Sequence, residues 1–246
     1  MITFNTMISA SIGYGIGTYL LSMYFTRTHK KNLLTNTPAS TIRSIAMGFV
    51  HLQGRPSTDT PVIAPLSKQE CMYYQIRILV ATSNKSQWKT HHTEHSTEHL
   101  YIEDDTGRVE VDVKKADLKV HSTDYAGEAL FTPEAKNILE ANNITIRRIG
   151  NFYTPSVRIQ ETTLTKQQEI TIYGTADDNP RVEDGSQQIG HKDILITKRK
   201  GRPLIISETA TDNPAEYVKG NIIMLTMSFY VFIITTIALI LANNWT

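Results

Sequence analysis

One cysteine, Cys71, is all the thiol chemistry this sequence holds. An internal disulfide is therefore excluded, and so is a zinc site built from several thiolates. A lone cysteine in an apolar run, here Cys71-Met72-Tyr73-Tyr74, is expected to be a small buried hydrophobe rather than a nucleophile. Net charge is scarce too. The 25 Lys and Arg against 24 Asp and Glu leave +1, which argues against a nucleic-acid partner that would want a clearly basic face. Charge is missing altogether from both ends: no Lys, Arg, Asp or Glu precedes Arg27 or follows Lys219.

What fills those ends is apolar. Ile222 to Ala242 is 21 residues without a charge, Gly or Pro. As a helix it is about 31 Å long, the thickness of a bilayer's hydrocarbon core. Met7 to Phe25 is also uncharged, although Gly13, Gly15 and Gly17 interrupt it. Gly13 and Gly17 have the spacing that lets a second helix come close. The sequence thus predicts transmembrane helices at 7–25 and 222–242, a basic juxtamembrane linker at 26–42 and a polar domain at 43–219. Arg27, Lys30, Lys31 and Lys219 flank the apolar runs from the inside. The positive-inside rule then places the central domain in the cytoplasm and both termini outside. The expected partners are the lipid bilayer, an unidentified protein and, through the apolar helices, further copies of the chain. Neither run carries an ionisable residue, so both read as anchors rather than as a channel.

The middle alternates with period two. Ser44–Gly54 reads as a strand, and Cys71–Val80 as another, with Met72, Tyr74, Ile76, Ile78 and Val80 on one face. His99–Glu103 and the run RVEVDV flank Asp105-Thr106-Gly107 as a hairpin. Residues 132–142 read as the one helix of the domain, with Thr132 as cap and Pro133 in the first turn. Strands return at 156–162, 169–173, 193–197 and 204–207, with LTKQQ as a turn. The fold class expected is a membrane-anchored α+β protein: a mostly antiparallel β-barrel or sandwich with one short helix, flanked by two transmembrane helices.

Three groups of side chains stand out. Glu103, Asp104 and Asp105 at the hairpin tip can bind a cation, but Asp at a turn usually bonds backbone amides. Tyr73 and Tyr74 are expected to divide between core and rim. The segment 91–99 holds four of the eight histidines, and His95-Ser96-Thr97-Glu98-His99 matches the zinc-hydrolase spacing H-x-x-E-H. The candidate metal ligands are His91, His95, Glu98 and His99. That motif needs a helix with an apolar face, and this Thr/Ser-rich segment has none, so a solvated loop is the plainer expectation. No cofactor is expected.

Taken in order, SIAMGFVHLQG, PLSKQECMYY, Trp88 in a polar stretch, LYIEDDTGRVEVDV, IQETTLTKQQEITIYGTA and RPLIIS before the last apolar run resemble the GIDE-type, or beside-a-membrane, domain of mitochondrial ubiquitin ligases. The resemblance covers roughly residues 40 to 242. It implies a β-rich domain between two spans, in the intermembrane space in the mitochondrial relatives, which is opposite to the side that the flanking charges give. In those ligases a RING finger with two zinc ions follows the second span. Here one cysteine cannot build a RING, and Asn243-Asn244-Trp245-Thr246 end the sequence. The expected function is therefore a non-catalytic interaction or scaffold module. A component of an E3 ubiquitin ligase and a metal-dependent hydrolase on the histidine segment are the alternatives.

Overall fold

The computed structural model describes residues 4–81, 87–96, 99–149, 152–154, 156–180, 193–208 and 221–244. In chain order its elements are α1 (Phe4–Asn36), β1 (Ala39–Ser40), β2 (Gly48–Ser57), β3 (Val62–Ile63), β4 (Glu70–Cys71), β5 (Tyr73–Ala81), β6 (Trp88–His95), β7 (Leu100–Asp104) and β8 (Gly107–Val111). There follow β9 (Asp117–Lys119), β10 (Ser122–Ala126), α2 (Pro133–Ala141), β11 (Arg147–Ile149), β12 (Phe152–Thr154), β13 (Val157–Leu164), β14 (Ile170–Asp178), β15 (Ile194–Thr197), β16 (Ile205–Glu208) and α3 (Asn221–Asn244). The chain divides into two units, Met1–Pro38 with Asp212–Thr246, and Ala39–Thr211.

The first unit pairs α1 with α3. Between Phe25 and Pro38 there is neither Gly nor Pro, so the helix continues through Arg27, Lys30 and Lys31 to Asn36. Pro38 cannot continue it and biases Thr37 away from helical geometry. Gly13 and Gly17 lie where the second helix comes closest. A side chain on Gly13 would run into Thr235, and one on Gly17 into the Phe232 ring. The buried Ser228 hydroxyl donates to the Gly17 carbonyl at 2.9 Å. The partner that the small-residue spacing anticipates is thus the chain's own α3.

The expected pair of transmembrane helices is corrected here. Among the described residues, no helix is long and apolar enough to cross a membrane. In α1, glycines and hydroxyl side chains dilute the apolar run, and basic residues share the same helix. The two-pass integral membrane arrangement, with the middle in the cytoplasm and the termini outside, is corrected with it. Large apolar side chains of this unit, among them Met7, Ile12, Phe229, Ile233 and Ile237, are exposed.

The second unit is built on a closed ring. β2 pairs antiparallel with β7 through Arg55–Ser57, and β7 with β8 around Asp105-Thr106. β8 then pairs parallel with β15, β15 antiparallel with β14, and β14 antiparallel with β2 through Gly48–Gly54. Counting ring strands along the chain, the order is 1-2-3-5-4 and back to 1, with the third and fifth parallel. That is the Greek-key barrel of the OB type. Period two fills it: Val50 and Leu52, Leu100 and Ile102, Val109 and Val111, Ile170 and Ile172, Ile194 and Ile196 all belong to one buried cluster. Each such side chain contributes roughly 1.5–3 kcal/mol when fully buried. The barrel expected from short alternating strands is therefore what forms.

Long insertions leave the ring twice, between β2 and β7 and between β8 and β14. They meet as a second sheet, in the order β10-β13-β5-β6. Its core is Ile76, Ile78, Val157 and Ile159 under Leu139 and Ala135 of α2. The expected cap is present, because Thr132 accepts from the Ala135 amide. The two cores join where Tyr73 pairs with Leu164, both fully buried in the barrel cluster. The turn through Thr165–Gln168 carries the chain from the second sheet into the barrel and does not close a hairpin.

Candidate functional site

Up to His95 the histidine segment is a strand and not a helix. Thr90 and Thr93 suit a pleated strand, and Trp88–His95 forms β6, antiparallel to β5 from Ala81↔Trp88 to Gln75↔His95. The register shifts between Ile78, which pairs with His92, and Leu79, which pairs with Thr90. His91 is the extra residue of a β-bulge. His95 ends this strand and His99 precedes β7, and the two rings bond different partners. The His95 Nδ1 lies 2.5 Å from the Tyr73 hydroxyl. Burial pushes the Tyr73 phenol's pKa up, and burial, aided by Lys114 and His92, pushes His95 down. Both therefore stay neutral and share one hydrogen bond. His99 turns elsewhere: its Nδ1 lies 2.7 Å from Glu110 Oε1, and Asn179 Nδ2 donates to Glu110 Oε2 at 2.9 Å. His91 is exposed on the bulge, and Glu98 lies outside the described residues. Among the described residues no group of three or more His, Cys, Asp or Glu is placed to hold a metal ion.

The acidic hairpin tip is likewise occupied by its own backbone. Asp104 Oδ1 accepts from the Thr106 amide at 2.7 Å, the Thr106 hydroxyl at 2.6 Å and the Gly107 amide at 3.0 Å. Oδ2 accepts from the Ile42 amide at 2.8 Å. Burial raises the Asp104 pKa, but these donors together outweigh it and hold the carboxyl below its ordinary value. Beside the tip opens a polar cleft of about 740 Å³, lined by Arg55, Glu103, Asp105, Lys166 and Glu169. It opens where β2 leaves β14 for β7. The Arg55–Glu169 pair across it, at 3.6 Å with both side chains 65% exposed, contributes about 0–1 kcal/mol.

Cys71, the last residue of β4, is fully buried. Burial, reinforced by the nearby Glu161 carboxylate, pushes the thiol from its ordinary 9.0 up to about 11. Two consequences are measurable. The folded chain is expected not to react with a disulfide reagent at neutral pH, while the unfolded chain titrates one thiol. The sign of the pH dependence follows from the higher pKa of the folded state. Above pH 9.0 the unfolded thiol ionises while the folded one keeps its proton, so stability falls as pH rises to about 11. Cys71→Ala is expected to lack that part of the alkaline loss in urea titrations across this range.

Two features went unread in the sequence. Glu161 is 2% exposed and accepts from the Leu66 and Ser67 amides at 2.8 and 2.9 Å. Its signal was there, a carboxylate in phase with Val157 and Ile159 on the inward face of a strand. The other feature is a polar network on the outer face of the second sheet. Arg77 donates to Gln160 at 2.5 Å, Gln160 to Asp124 at 3.1 Å, and Arg158 to Asp124 at 3.0 Å. The Arg158 guanidinium also lies 4.7 Å from the Trp88 ring centroid. No pattern along the chain announces it, because its members come from four strands.

A Greek-key barrel with a second sheet grown from its connections defines an OB-type domain. The family model of GIDE, described as E3 ubiquitin ligase, matches residues 73–241, well over half of the chain. The chain belongs to the GIDE family. No curated protein and no solved structure matches it.

Proposed function

We propose that this protein is a non-catalytic interaction module serving ubiquitin ligation, holding a partner by the surfaces of its β-domain while the transfer chemistry is done by other chains. The family supports the link to ligation. The observation that carries the non-catalytic reading is Cys71. A ubiquitin thioester requires an accessible thiolate, and this single thiol is enclosed with its pKa raised to about 11. A partner-holding role also suits the fold, because OB-type barrels bind along their strand faces and loops.

Ubiquitin discharge from a charged conjugating enzyme to free lysine tests the reading. Adding the full chain is expected to leave the discharge rate unchanged and to form no reducible ubiquitin adduct. Acceleration of about tenfold or more, or an adduct lost in Cys71→Ala, contradicts it.

A further inference from the structure

The segment Trp88-Lys89-Thr90-His91-His92-Thr93-Glu94-His95 reads alike from both ends once charges and shapes are paired. Lys89 answers Glu94, Thr90 answers Thr93, His91 answers His92, and the two end residues are aromatic rings. It forms β6, the end strand of the sheet order β10-β13-β5-β6, so among the described strands its outer edge has no partner. Lys89 and Glu94 are exposed there.

A palindrome in a strand needs one more condition. In an antiparallel pair, facing residues lie on the same side of the sheet. In a regular strand Lys89 and Glu94, five residues apart, lie on opposite sides, and self-pairing in this register would fail. The bulge repairs the phase. Lys89 pairs with Val80 and Glu94 with Ile76, which share the face of β5 that packs under α2. Thr90 pairs with Leu79 and Thr93 with Arg77, on the other face. The extra residue at His91 therefore puts each member of the palindrome on the same side as its mate.

From this phase match we infer that β6 pairs antiparallel with β6 of a second copy about a two-fold axis between His91 and His92, joining two four-stranded sheets edge to edge. Lys89 then faces the partner's Glu94 twice, and Thr90 faces the partner's Thr93 twice. Such cross-strand pairs are favourable, and like charges in the same places oppose association. An isologous contact also closes on itself, so the edge makes a dimer and not a fibre. This inference goes beyond the interaction role proposed above and stands without it.

Sedimentation velocity on the full chain decides it by charge exchange. The wild type is expected to be a dimer. Lys89→Glu and Glu94→Lys are each expected to weaken self-association by about ten- to a hundredfold, since two attractions become two repulsions. The double variant K89E/E94K restores both pairs and dimerises. A mixture of the two single variants forms heterodimers, because the chain with two acidic residues faces the chain with two lysines. Both sites are exposed, so circular dichroism is expected to show every variant folded. A monomeric wild type, single variants that associate like wild type, or a folded double variant and mixture that fail to recover would each overturn the inference.

Discussion

Glu161→Ala is expected to lower the unfolding free energy by about 1–3 kcal/mol. The carboxylate sits in phase with the apolar residues of β13, where removing it leaves two backbone amides, of Leu66 and Ser67, without their acceptor. Leu66 is half-buried and Ser67 exposed, so water replaces part of what is lost, and the two bonds to a charged acceptor together are worth about 1–3 kcal/mol. The same turn holds Lys68 at φ 57°, a left-handed conformation that a side chain adopts only under constraint. The Lys68 amide is held by the Ala64 carbonyl at 3.1 Å, and Glu161 holds the two amides before it. Glu161→Gln keeps an accepting oxygen for one amide and is expected to lose roughly half as much. Urea unfolding of the three proteins measures the order, and hydrogen exchange at Leu66 and Ser67 should quicken first. An alanine variant within about 0.5 kcal/mol of wild type would remove Glu161 from any structural role.

The second large effect is expected from one added carbon. At Gly54, β2 ends its pairing with β14 and begins its pairing with β7. A Cβ there would be driven into the Glu103 backbone carbonyl and the Ile102 side chain. A flexible side chain can step aside, but a strand backbone in a closed barrel cannot. Gly54→Ala must therefore separate β2 from β7, at a cost of about 1–3 kcal/mol from overpacking and more where the Arg55↔Glu103 pairing is lost. The midpoint of urea denaturation should fall, and the amides of Arg55 and Glu103 should lose protection. An unchanged midpoint would mean that the barrel is open at this seam.

The polar cleft opens at that same seam, so Gly54→Ala also asks whether its shape depends on the close approach of the two strands. The charge-exchange series at β6 probes the opposite feature, an edge that has no strand partner among the described strands. Stability and association are thus expected to separate cleanly between the two sets of variants.

Much of the barrel was legible along the chain, since its signals are local. RVEVDV alternates, Asp105-Thr106-Gly107 turns, and Thr132-Pro133-Glu134 starts a helix; each became the element its pattern implied. β6 was not legible, because its exposed side chains leave no apolar alternation to read and a bulge breaks its phase. The H-x-x-E-H spacing misled for a related reason. Spacing along a chain becomes geometry only when the secondary structure is known, and here His95 bonds Tyr73 while His99 bonds Glu110. The long uncharged ends invited a membrane reading from length and charge alone. Gly13 and Gly17 did foretell a close helix, and the one that approaches is α3.

From composition and period came the single unreactive thiol, the β-rich class, the hairpin and the capped helix. All of these are set by neighbours within a few residues of one another. Ring closure, the second sheet assembled from two distant insertions, the Glu161 clamp and the fate of each histidine came from the folded chain. Each depends on which strands meet, and that is governed by burial summed over the whole domain, a quantity no short window contains.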